Sequence, residues 1–150
     1  MKKVTILFAL VIMVFSQACA TTGTPPSKVK SAFAKKFPTA KKVKWDKEND
    51  TEWEAEFKMN GKEYSANFIN DGTWKETEFE IKKSEIPTAV KTTLDKEFAG
   101  YKIEEVEVSE TVNGKVYEFA LEKGEEELEI AISPNGKVTK KKVKSQDDED

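Results

Sequence analysis

Histidine and arginine are absent from this chain of 150 residues, and cysteine occurs once, at Cys19. Without histidine there is no side chain whose ordinary titration falls near neutrality. Without arginine there is no planar fork for bidentate recognition of phosphate or carboxylate, and all 25 basic residues are lysine. A lone cysteine can form no disulfide within the chain, so the fold must rest on its core. General-base, nucleophilic and transition-metal chemistry would fall to carboxylates, lysine, serine and tyrosine, an inventory that does not read as an enzyme. No cofactor and no metal are implied. Nucleic acid is excluded as a partner, because binding it draws on clustered positive charge and usually on arginine.

Long apolar runs are scarce as well: the longest spans Val4 to Ser16, behind Lys2 and Lys3 and ahead of Ala18-Cys19-Ala20. A short basic start, an apolar stretch and small residues at a cleavage point make residues 1–20 a secretory signal peptide. The run is too short for a membrane helix, which needs about 20 apolar residues. Two processing routes stay open. Cleavage after Ala20 discards Cys19, whereas cleavage before Cys19 leaves it as a lipid-bearing N-terminus. The mature protein is therefore expected to start at Thr21, or at a lipidated Cys19, which would be its only link to a membrane. Either way it is exported, to the periplasm or to a lipid anchor at the cell envelope. Loss of Lys2 and Lys3 moves the formal net charge from −3 to −5.

The strongest organisational signal is an internal duplication. Pro26, Val29, Phe33 and Phe37 recur as Pro87, Val90, Leu94 and Phe98 at a constant offset of 61. Both sets read as short helices, with proline in the first turn and apolar residues at i, i+4 and i+8 along one narrow stripe. Pro38 stops the first helix and Gly100 lies just past the second. Each helix is followed by four segments of alternating polarity: 40–46, 52–58, 62–69 and 73–81, then 102–109, 115–122, 126–132 and 137–143. Asn60-Gly61, Asp71-Gly72, Asn113-Gly114 and Asn135-Gly136 fall between such segments and accept positive φ, as hairpin turns require. Odd apolar steps from Trp74 to Phe79 and from Ile103 to Val106 predict bulges.

These features define an α+β fold: a tandem duplication of a helix plus four antiparallel strands, forming one eight-stranded sheet with two helices on one face. The domain runs over 26–144, with repeats at about 26–82 and 87–143. Residues 21–25 read as a flexible tether and 145–150 as an acidic disordered tail.

The motifs Phe33-Ala34-Lys35-Lys36-Phe37-Pro38, Val43-x-Trp45, Trp53-Glu54-Ala55-Glu56-Phe57, Asn60-Gly61-x-Glu63-Tyr64, Gly72-x-Trp74-x-Glu76-x-Glu78 and Glu85-Ile86-Pro87 resemble the PepSY-like, beta-lactamase-inhibitor-like proteins of Bacteroidetes envelopes. The resemblance covers nearly the whole mature chain and implies the tandem fold of the beta-lactamase inhibitory protein. That inhibitor enters its target with an acidic hairpin and staples its repeats with disulfides. Here the corresponding hairpin reads Met59-Asn60-Gly61-Lys62, and a second cysteine is lacking. No functional residue carries over, because a shared fold does not transfer function.

Carboxylate pairs at Glu54/Glu56, Glu76/Glu78 and Glu127/Glu129 have the i, i+2 spacing that puts both members on one strand face, expected here to be the solvated one. Eight strands at about 4.8 Å make a sheet roughly 38 Å wide, of which two helices about 10 Å across cover only half. Some apolar surface is therefore expected to stay exposed and to mark a partner site. The first repeat holds all three tryptophans, Trp45, Trp53 and Trp74, where the second has Val108, Tyr117 and Val138. Tryptophan and tyrosine are frequent interface anchors. The expected partner site is the part of the sheet bearing Trp45, Trp53, Tyr64 and Trp74, with Glu54 and Glu56 as polar neighbours on its outer face. The expected partner is another envelope protein, and the alternative role is a periplasmic sensor of a small ligand or metal ion. The lysine-dense segment 137–143 reads as a guarded edge strand.

Overall fold

The computed structural model describes residues 23–143. The signal peptide, Cys19, the start of the tether and the acidic tail lie outside the described residues. Helix α1 spans Ser27–Lys36 and is followed by strands β1 (Lys41–Lys47), β2 (Glu52–Met59), β3 (Lys62–Ile69) and β4 (Trp74–Glu80). A 3-10 turn at Lys83–Glu85 leads to helix α2 (Thr88–Glu97) and to β5 (Lys102–Thr111), β6 (Gly114–Lys123), β7 (Glu126–Ile132) and β8 (Val138–Val143). All eight strands join one antiparallel sheet in sequence order. No helix among the described residues is long and apolar enough to cross a membrane.

The two prolines sit one residue earlier than expected, at the N-caps rather than in the first turns. Their carbonyls still accept the first helical hydrogen bonds, from the amides of Lys30 at 3.1 Å and Lys91 at 2.9 Å. Each ten-residue helix is too short to persist alone and is held by what its stripe buries. Val29, Phe33 and Phe37 pack on Trp53, Ala55, Phe57, Ala66 and Phe68. Val90, Leu94 and Phe98 pack on the equivalent strands of the second repeat, which supply Val106, Phe119, Leu121, Leu128 and Ile130 among others. The duplication thus builds two cores side by side, both on the helix-bearing face.

The Asn60-Gly61 turn has positive φ at both residues, 53° and 80°, which matches the twist of the hairpin it closes. Gly72 and Gly136 serve a further purpose. A Cβ at either would stand 2.9 Å from a helix carbonyl, Lys28 O or Ala89 O, so both hairpin tips tuck against a helix where only glycine fits. Thr93 fixes the second contact by donating its hydroxyl to the Gly136 carbonyl at 2.6 Å.

The bulges expected near Trp74 and Ile103 are present: Lys75 is the extra residue opposite Asn67 and Phe68, and Glu104 is the extra residue opposite Leu121 and Ala120. Two more occur, between Lys41 and Lys44 in β1, where Lys42 has φ 56°, and at Thr139 in β8. The first and last strand of each repeat therefore carries one bulge. Bulges bend a strand and raise its twist, so four of them placed symmetrically curl the sheet instead of leaving it flat.

Two expectations fail because of this curl. Glu129, expected on a wet face, is only 4% exposed. Nor does a contiguous apolar area remain open: the exposed large hydrophobics among the described residues are Val43, Val112 and Val143, on separate strands and a turn. The face without helices is acidic rather than apolar.

Candidate protein-interaction face

Strand register places the sequence-predicted site residues on two sides of the sheet. Trp45, Trp53, Tyr64 and Trp74 belong to the helix-bearing face and its first-repeat core. Trp53 is buried, with its indole N–H donated to Asn70 Oδ1 at 2.8 Å. Trp45 is half-buried, edge-on to Phe33 with ring centroids 5.2 Å apart. Trp74, also half-buried, donates its indole N–H to Thr77 Oγ1 at 2.9 Å and carries the Lys36 ammonium 3.5 Å above its ring. Tyr64 stacks on Phe57 at 5.5 Å. Glu54 and Glu56 point the other way, so no single surface presents all six residues.

On that other face the register builds rows of side chains across the strands. One row runs Lys44, Glu56, Ser65, Glu78, Ser109 and Val116 from β1 to β6. A second runs Asp46, Glu54, Asn67, Glu76 and Thr111. A third runs Glu80, Glu107, Glu118, Ala131 and Lys140 from β4 to β8. Ser65, a small residue, stands between Glu56 and Glu78 on the neighbouring strands, which leaves the long carboxylates room to lean together. Ser109 donates its hydroxyl to a Glu76 carboxylate oxygen.

The curl turns these rows into a depression of about 450 Å³ that reaches from β1 to β5. Its lining holds seven glutamates, among them Glu54, Glu56, Glu78 and Glu107, against three lysines, Lys42, Lys44 and Lys58. Lys44 lies 3.7 Å from Glu56, and Lys58 pairs with Glu63 at 2.5 Å, so the lysines hold the β1 and β2 side while carboxylates fill the remainder. One row away and outside the lining, Asn67 is 6% exposed between Glu54 and Glu76.

Crowding of like charges in a partly buried site favours the neutral acids. Burial pushes the Glu54 carboxyl up to about 8, helped by a hydrogen bond and charge from Glu48 and by the charges of Glu56 and Asp46. Burial likewise pushes Glu78 up to about 8, with Glu76, Glu107, Glu118 and Glu54 adding repulsion. Glu107 is held at about 7 by burial and then by Glu105, Glu118 and Glu80. Glu118 is raised by burial too, although Lys140 opposes the shift. Among the described residues no three acidic side chains converge as a metal ion would require. In the sequence Glu76 and Glu78 read as solubilising surface, and Glu107 and Glu118 carry no signal of their own. Ser65, placed between Glu56 and Glu78, is the available signal.

Comparison with known structures places this geometry. A DUF2874 family protein from Bacteroides uniformis superposes with a TM-score of 0.74 at 21% identity, covering 80% of this chain and 90% of that one. A BLIP-like protein from Bacteroides fragilis gives 0.73 at 23% identity, covering 82% and 89%. A DUF2874 family protein from Bacteroides ovatus gives 0.74 at 22% identity, covering 81% and 89%. At these identities the likeness establishes the fold. No curated protein is similar enough in sequence to match. The family described as beta-lactamase-inhibitor-like, PepSY-like matches residues 51–140, from the start of β2 into β8. With its two-helix, eight-stranded tandem architecture and more than half its length within that match, the chain belongs to the PepSY-like, beta-lactamase-inhibitor-like family.

Proposed function

We propose that the protein is an exported binding module of the cell envelope that engages another protein through its sheet. The observation that carries this reading is the asymmetry of the sheet: both helices cover one face, and the other is left concave across five strands. Shallow and spread over five strands, the depression can take a protein segment lying along it. Export is supported by the basic, apolar and small-residue order of residues 1–20. The family description names an inhibitor rather than a catalyst, and the described chain contains neither histidine nor cysteine to activate a nucleophile.

The first repeat forms the docking half in this reading. Glu54 and Glu56 meet the partner in the depression, while half-buried Trp45 and Trp74 support the strands behind it from the helix-bearing face. Partner addition at the sheet edges is disfavoured, because β1 carries Lys41, Lys42, Lys44 and Lys47 and β8 carries Lys140, Lys141 and Lys142. The test is site-specific photo-crosslinking of the mature protein in its native envelope. A probe at Glu56 should capture a discrete partner, while a probe at Lys91 on the exposed side of α2 should not. Glu54→Gln together with Glu56→Gln should weaken capture at least tenfold, about 1.4 kcal/mol, with the fold retained. Equal capture from both probe positions would refute the sheet as the docking surface.

A further inference from the structure

Resting on that reading, we infer that the concave face receives an extended, lysine- or arginine-rich segment of the partner protein, laid across strands β1 to β5. Charge sets the sign of the occupant: seven glutamates against three lysines line the depression, and two of those lysines are already paired with Glu56 and Glu63. The excess of acids favours a cationic occupant, which can draw carboxyls of the lining into their ionised form. Length sets its form. Five strands at about 4.8 Å span about 19 Å, which an extended peptide of about six residues crosses at roughly 3.3 Å each. Carboxylates would then take the cationic side chains along that length.

Protonation makes the occupancy self-reporting. In the empty depression Glu54 and Glu78 stand at about 8 and Glu107 at about 7, so part of this acid set is neutral at pH 7. Glu54 is faced by Glu48, Glu56 and Asp46, and Glu78 by Glu76, Glu107 and Glu118. Glu105 and Glu80 bear on Glu107, and the opposing cations are Lys42, Lys44 and Lys58 in the lining with Lys140 beside Glu118. An arriving ammonium or guanidinium group stabilises the ionised carboxylates and lowers their pKa, so binding expels protons. Affinity for a cationic segment should accordingly rise from pH 6 to pH 8.5.

The test uses the mature protein and an alternating Lys-Ser octapeptide, followed by calorimetry in two buffers of different ionisation heat. The expected result is saturable one-to-one binding with proton release, tighter at pH 8.5 than at pH 6. A Glu-Ser octapeptide should not bind. Glu56→Gln/Glu78→Gln/Glu107→Gln should weaken binding at least tenfold and abolish most of the proton release. If the triple variant fails to fold, Glu56→Gln alone, at an exposed position paired only with Lys44, should still give a threefold loss. Neutralising the tail by Asp147→Asn, Asp148→Asn, Glu149→Gln and Asp150→Asn should leave binding intact. Three results would each overturn the inference: binding lost with the tail, saturable calcium binding that displaces the peptide at constant ionic strength, or a dimer that dissolves on the same glutamate substitutions. Crosslinking to a partner that survives the triple glutamine change would retain the binding module and remove this occupant.

Discussion

The Tyr64 and Phe79 rings lie 5.0 Å apart, tilted by 42°, and form the ring contact that joins the two cores. Tyr64 belongs to the first-repeat cluster, whereas Phe79 packs against the second, although β4 is a first-repeat strand. Nearby, Lys62 and Glu85 pair at 3.1 Å over the same junction.

Phe79→Ala should therefore uncouple the repeats as well as destabilise them, by about 2–4 kcal/mol. All three tryptophans lie in the first repeat, so their fluorescence reports that half, while far-UV circular dichroism reports both. Urea unfolding of the parent chain should give coincident transitions by the two probes, and the variant should separate them. Coincident curves in the variant would show that the junction does not rest on this contact.

Phe33→Ala and Leu94→Ala remove equivalent side chains, each 6% exposed and each at the centre of its helix stripe. Each should cost about 2–5 kcal/mol in denaturant unfolding. A loss below about 0.5 kcal/mol at both sites would mean that the helices are not docked as described.

Glycine substitutions should rank by what surrounds them. Gly61→Ala meets only backbone strain, at φ 80° with nothing within 4 Å, and should lose about 1 kcal/mol. Gly72→Ala and Gly136→Ala add a 2.9 Å approach to a helix carbonyl and should lose clearly more. Thermal denaturation of the three variants gives the order, and equal losses would count against the tucked hairpin tips.

Stability should fall as pH rises. Glu54 and Glu78 have folded-state values of about 8 against 4.5 for the free side chain, so between those limits the unfolded chain binds fewer protons than the native one. Their stabilising contribution is complete below about 4.5 and is lost as pH climbs through about 8. Tm, taken in the absence of partner, should drop by several degrees from pH 5 to pH 8.5. Glu78→Gln should flatten that slope and raise Tm at pH 8.5, and an unchanged slope would remove Glu78 as a source.

Local chemistry made most of the fold legible. Val29 and Val90, Phe33 and Leu94, and the asparagine-glycine and aspartate-glycine turns fix helices and hairpins within a few residues of chain. The bulges at Lys75 and Glu104 show because apolar alternation slips there. Those at Lys42 and Thr139 sit in lysine-rich edge strands with too few apolar residues for a slip to register. Without all four bulges the curl could not be read, and with it went the burial of Glu129 and the raised Glu78. For the same reason the aromatic residues singled out from the sequence proved to share the helix face, while the charged depression formed behind them.

The bulges set the depth of the depression by residue count and not by residue identity: one extra residue in each flanking strand, whatever its side chain, bends the sheet. Exchange of one amino acid for another along the lining leaves that count untouched, whereas deleting Lys75 or Thr139 would straighten a strand. The scaffold is thus tolerant of substitution and intolerant of single-residue deletion. Descendants of such a chain can retune which segment they hold, glutamate by glutamate, without redesigning the cradle.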